Sequence, residues 1–191
     1  MVMRNTLQAV FLAVVTFCGA LAFADDDSAA IERFREAGAG NMLDNAYGYA
    51  IFPTIGKGGI GIGGAYGEGR VYKRGGALAG NTSVAQVTWG LQLGGQAYSQ
   101  IILFEDERAY EEFTSGNFEF GAQATAVALT AAAGAEANTT GAGTNVSGGQ
   151  NDAAIASAGY RKGMAVFTIA KGGLMYEATI GGQKFDFKPA K

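Results

Sequence analysis

The sequence predicts an α+β fold: a single domain in which a strongly curved, glycine-rich antiparallel β-sheet packs against one or more helices. Three observations lead there. Short runs alternate bulky residues with glycine at the period of a strand, as in "GIGIGGAYGEGRVYK" at 59–73. Two segments, 28–46 and 105–116, instead space their apolar residues at helical intervals. The length, 191 residues with 31 glycines and 2 prolines, suits one sizeable core rather than a chain of small units.

The first 24 residues are expected to be a signal peptide removed on export. Arg4 supplies a short positive region, "LQAVFLAVVTFCGALAFA" an apolar core, and Ala22-Phe23-Ala24 a small-x-small cleavage site ahead of three aspartates. The apolar run is barely long enough to span a bilayer of about 30 Å. Cleavage leaves 25–191, with 17 acidic residues against 13 Lys and Arg. The expected location is the periplasm, or outside the cell.

That mature chain has no histidine, and the one cysteine, Cys18, lies in the signal segment. Thiol catalysis, histidine bases and the usual zinc ligand sets are therefore excluded. No cofactor, metal site or catalytic residue is expected. Nucleic acid is not expected as a partner either, because its binding depends on neutralising phosphates and the chain is net acidic.

Residues 28–46, "SAAIERFREAGAGNMLDNA", read as a helix interrupted at Gly38 and Gly40, with Ile31, Phe34, Met42, Leu43 and Ala46 on its apolar faces. "YAIF" reads as a strand entering Pro53. In the glycine run that follows, Ile60, Ile62, Tyr66 and Glu68 fall on one face and Gly61, Gly63, Gly67 and Gly69 on the other, which is almost bare backbone. Such a face marks a bend or the close approach of another element, an acyl chain or a helix included.

"TSVAQVTWGLQLGGQAYSQIILF" repeats the texture, with curvature permitted at Gly94-Gly95. "EDERAYEEFTSG" is a short helix capped by Asp106, with Ala109, Tyr110 and Phe113 inward and Gly116 as its stop. Residues 135–152 carry no periodic apolar signal and read as a flexible polar loop. The last third reads as strand, turn at Lys171-Gly172-Gly173, strand, turn at Gly181-Gly182, strand. It echoes the opening: "GYAIFPTIGKGG" and "GMAVFTIAKGG" are expected to form similar hairpins pairing across the sheet.

Gly59-Ile60-Gly61-Ile62-Gly63-Gly64 satisfies G-x-G-x-x-G, but no helix-forming sequence follows to meet a pyrophosphate, so it is not a nucleotide motif. Acids such as Glu68, Glu105 and Asp106 form no recognisable catalytic pair in sequence. The basic positions Lys57, Lys73, Arg74, Lys162 and Lys171 all fall in expected turns. Gathered at one end of the sheet, they would hold a phosphate or a lipid headgroup.

Three blocks carry a resemblance: Phe52-Pro53, the Gly-Gly-x-Tyr-Gly-x-Gly run at 63–69, and Gln-x-Gly-Gly-Gln at 92–96. With "GYRKGMAVF" they resemble the SYLF domain family, also called the Ysc84 actin-binding domain family, over roughly 30–180. The resemblance marks 25–191 as a SYLF-like domain and implies affinity for lipid, with phosphoinositide and actin-filament binding in eukaryotic members. Bacterial members resemble exported envelope proteins. The expected mature chain starts with Asp25-Asp26-Asp27 in place of a basic segment, so phosphoinositide affinity is not carried over, and because of the export signal actin is expected to be an improbable partner, with the protein partner left open.

The leading expectation is therefore an exported module binding lipid or a membrane surface. The alternatives are a structural or protein-interaction envelope protein without a lipid pocket, a small outer-membrane barrel, and a carboxylate hydrolase.

Overall fold

The computed structural model describes residues 26–116, 118–120, 127–129 and 159–191. The expected signal segment and the polar loop at 135–152 lie outside the described residues. Helix α1 covers residues 26–34, a π-helical turn follows at Arg35–Ala39, and α2 is Gly40–Asn45. The interruption is where the sequence places it, at Gly38, whose φ of 99° is one that a side chain would strain. An ion pair of 2.8 Å between Arg35 and Asp44 spans the break.

Three long strands make up most of the sheet: β1 (Gly48–Lys73), β2 (Leu78–Phe104) and β5 (Met164–Pro189). Two short ones, β3 (Phe118–Phe120) and β4 (Val127–Leu129), both pair with β5. The order is β1-β2-β5-β3, antiparallel throughout except that β4 runs parallel to β5. Helix α3 (Glu107–Thr114) is capped as expected, with the Asp106 carboxylate accepting from the Ala109 N–H at 2.8 Å. Ala109 and Phe113 are buried, Tyr110 half-buried.

The expected turns at Lys57-Gly58-Gly59, Lys171-Gly172-Gly173 and Gly181-Gly182 are absent, because those residues lie inside continuous strands. At Gly58-Gly59 the strand bends instead of turning, and the ladder stays paired. A 26-residue strand would reach about 85 Å if straight, so it must fold over. β1 does so at 59–63, where a Cβ on Gly59 would meet Ile62 O and Gly63 Cα. Beyond the bend its second half returns across its first: a Cβ on Gly67 would lie 2.6 Å from Ile55 Cγ1, and one on Gly69 would strike Ile51 O and Phe52 Cδ1. At these two positions the space left by glycine is taken by the first half of the same strand, not by an acyl chain or a helix. Of the expected basic turns, two are true reversals: Lys73-Arg74-Gly75-Gly76, joining β1 to β2, and Lys162-Gly163, closed by reciprocal backbone bonds between Arg161 and Met164 at the entry to β5.

Folding over gives the near half of the sheet two buried faces. Ile51, Ile101, Leu103, Ala165, Phe167 and Ile169 meet Phe34, Leu43 and the alanines of the helical segment. Their neighbours Ala50, Phe52, Ile102, Phe104 and Met164 point the other way, onto Ala65, Val71, Val84 and Phe185 of the returning half and Phe113 of α3. Hence "AIF", "IILF" and "MAVF" are unbroken apolar runs. The far half has only one covered face and alternates.

The sequence echo does not produce paired hairpins. β1 and β5 flank β2 without pairing with each other: Ile51 lies opposite Ile101, which lies opposite Phe167. Phe52 faces the inner core and its counterpart Phe167 the helices, so the two copies present opposite faces.

Candidate functional site

The fold separates the five basic positions. Lys73 and Arg74 in the β1–β2 turn come together with Lys162 at one end, where Glu105 N–H donates to Gly163 O and Arg74 N–H to Tyr47 O. Lys57 and Lys171 belong to the other end of the near half-sheet. Lys171 Nζ donates to Thr54 Oγ1 at 2.7 Å and to Pro53 O at 3.3 Å. Counted along β1, that is roughly 20 to 30 Å from the first group.

Most of these cations already have structural partners. Arg74 donates to the Asn45 and Ala46 carbonyls at 2.5 and 3.1 Å, closing the C-terminal end of α2. Lys73 Nζ sits 5.3 Å from the centre of the Tyr110 ring. Lys171 satisfies carbonyl and hydroxyl groups at the β1 irregularity between Phe52 and Ile55. The headgroup cluster expected from sequence is thus not assembled as one patch. Of the glycine face, Gly63, Gly67 and Gly69 are buried, and Gly61 lies in β1 within the 59–63 bend.

What sequence reading passed over is the opposite face of that strand. Ile60, Ile62 and Tyr66 are 80%, 56% and 57% exposed, and Val87 on β2 is 68% exposed. Val87 lies opposite Gly64 and Ala85 opposite Tyr66, so Ile62, Val87 and Tyr66 surround the gap at Gly64. Lys57 stands at the near side of the same bend. The signal was present in the alternation of Ile60, Ile62 and Tyr66. A hydrophobic pattern alone assigns such a face to the core, whereas here the glycine face takes the core side.

The helical segment is held by one buried network. The Asp27 carboxylate, 3% exposed, accepts from Arg70 Nη1 and from the Tyr72 hydroxyl, both at 2.7 Å, and Tyr49 stacks on Tyr72 with ring centres 5.2 Å apart. Burial raises the Asp27 pKa more than its two hydrogen bonds lower it. Burial and the bond to Asp27 push the Tyr72 phenol from 10.0 up to about 12.

A phenol whose folded pKa is raised favours the fold while it is protonated. That contribution is complete below pH 10 and is lost as pH rises through about 12. Denaturation measured against pH is therefore expected to show stability falling between those limits. In Tyr72→Phe that fall should flatten, and the late component of the phenolate absorbance titration should disappear. An unchanged profile would refute the assignment.

Among the described residues, no three His, Cys, Asp or Glu gather as a metal-ligand set, and no helix is long and apolar enough to cross a membrane.

A family model described as "Ysc84: Las17-binding protein actin regulator" matches residues 85–187. The chain is also 29% identical over 162 residues to Beta cell expansion factor A of Aeromonas veronii, a match that takes in 83% of this chain and 53% of that protein. It thus spans about half the length of the curated relative it matches. No solved structure matches. The family match overturns the expectation that actin is an improbable partner: that expectation rested on the export signal, and the matched family is described as one of actin regulators.

Proposed function

Because the chain belongs to the Ysc84 family, Las17-binding protein actin regulators, we propose that it is an exported module of this family that binds a membrane surface of the cell envelope. The observation that carries this reading is the exposed apolar bend of Ile60, Ile62, Val87 and Tyr66 with Lys57 beside it. Branched apolar side chains left in water at a protruding bend gain free energy on entering a bilayer interface, about 1.5–3 kcal/mol for each one fully buried. Export and periplasmic location rest on the 1–24 segment alone.

The chain is net acidic, so attraction to anionic lipid contributes little and insertion of the bend dominates. Binding to both zwitterionic and anionic vesicles is expected to persist at physiological salt. The double variant Ile60→Asp, Ile62→Asp should bind vesicles at least about tenfold more weakly. Its melting temperature should be unchanged, because both side chains are already exposed. Vesicle co-sedimentation measures this. A wild-type chain that stays in the supernatant under every condition, or a double variant that pellets equally well, would refute the reading.

The family description favours a second reading, an actin-filament-binding module without a lipid site. Co-sedimentation with filamentous actin tests it. Pelleting with filaments but not with vesicles would establish it in place of the first.

A further inference from the structure

On the outer face of the far half-sheet, bordering the apolar bend at Tyr66, lies a cleft of about 320 Å³. Its wall is two rows of side chains set by the strand register. Arg70, Asn81 and Lys188 form one row, and Glu68, Ser83 and Asp186 the next. With strands about 4.8 Å apart and rows two residues apart, the rows define a patch of roughly 10 by 7 Å. Tyr66, 57% exposed, stands at one border, its hydroxyl donating to Glu68 Oε1 at 3.1 Å. Asp27 and Pro53 line the cleft where α1 and the β1 irregularity approach it.

Some of these groups are already used. Arg70 is engaged with buried Asp27, and the Thr82 hydroxyl donates to the Asp186 backbone carbonyl at 2.7 Å. No hydrogen bond or ion pair among the described residues involves the side chains of Asn81, Ser83, Asp186 or Lys188. A pure acceptor, a pure donor and two groups capable of both are therefore held side by side on rigid strands.

We propose that this cleft binds a neutral saccharide. The lining carries three carboxylates against two cations, so a phosphate or other anion would face uncompensated negative charge. Asp27 and Glu68 have protein partners, and Lys188 lies beside Asp186 in the cleft, an arrangement unsuited to a bare cation. A sugar hydroxyl both donates and accepts, so vicinal hydroxyls can satisfy Asp186, Lys188, Asn81 and Ser83 together. The C–H face of the same ring packs on an exposed aromatic such as Tyr66. The patch has the dimensions of one hexose unit. This assignment shares Tyr66 with the membrane reading, but the membrane test residues Ile60 and Ile62 lie outside the cleft, so the two tests are separable.

The test is isothermal titration of the full chain with two neutral disaccharides, cellobiose and di-N-acetylchitobiose, with inorganic phosphate as the anionic comparison. At least one disaccharide is expected to bind. Asp186→Ala and Asn81→Ala, both at exposed positions, should each weaken it by about tenfold, the loss of a hydrogen bond to a charged or amide group. Ile60→Asp should leave it unchanged. The proposal is overturned if neither disaccharide binds, if Asp186→Ala and Asn81→Ala bind as the wild type does, or if phosphate competes for the site.

Discussion

Replacing Gly69 with alanine is expected to cost about 3 kcal/mol of stability, from a total of about 5–15 kcal/mol for a domain. The added Cβ would strike the Ile51 carbonyl oxygen and lie 2.7 Å from Phe52 Cδ1. The first obstacle is backbone of a paired strand, which cannot swing aside as a flexible side chain could. The substitution must push the two halves of β1 apart or bend one of them out of register. Gly56→Ala is the matched comparison, since a Cβ there would meet nothing within 4 Å. It should lie within about 0.5 kcal/mol of the wild type. Urea denaturation of the two variants measures the difference. Equal midpoints would show that β1 does not double back on itself.

Phe185→Ala is expected to lose about 3–5 kcal/mol, the range for emptying a buried aromatic site. The ring is 1% exposed, and its centre lies 5.7 Å from Phe52, 5.2 Å from Phe113, 6.2 Å from Phe118 and 5.5 Å from Phe120. It thereby ties the far half-sheet to the near half, to α3 and to β3. Phe185→Leu should recover a large part of the loss by refilling the volume, which separates packing from the specific aromatic contacts. A loss below about 1 kcal/mol in Phe185→Ala would mean that this cluster does not join the halves. Gly69 and Phe185 both abut Phe52, so their combined effect should depart from the sum of the single ones.

Local features were readable from sequence because local chemistry produces them. The break at Gly38 needs only a residue that tolerates positive φ. The short helix at 107–114 needs only Asp106 ahead of it and apolar residues spaced to face one side. The curved antiparallel sheet was readable too, from period two interrupted by glycine pairs. The meaning of Lys57-Gly58-Gly59 and Lys171-Gly172-Gly173 was not. A glycine pair permits both a turn and a bend, and which one forms depends on whether β2, at 78–104, stays paired on the other side.

The candidate sites show the same division. Composition alone ruled out histidine chemistry, and three short blocks carried the resemblance to the family that the comparison later matched. Sequence could not gather or separate Lys57, Lys73, Arg74, Lys162 and Lys171, because their placement depends on strand register over distances of up to 118 residues, as between Lys171 and Pro53. Nor could it pair Glu68 with Asp186, which share a row only because β2 carries Ser83 between them.

Residue types and their spacing settle which stretches extend, which coil and where the backbone can bend, since those preferences act within a few neighbouring residues. Which face of an extended stretch turns inward is settled by whatever packs against it. In β1 that partner is the strand's own first half, whose backbone comes so close that only glycine fits, and Ile60, Ile62 and Tyr66 are left facing the solvent.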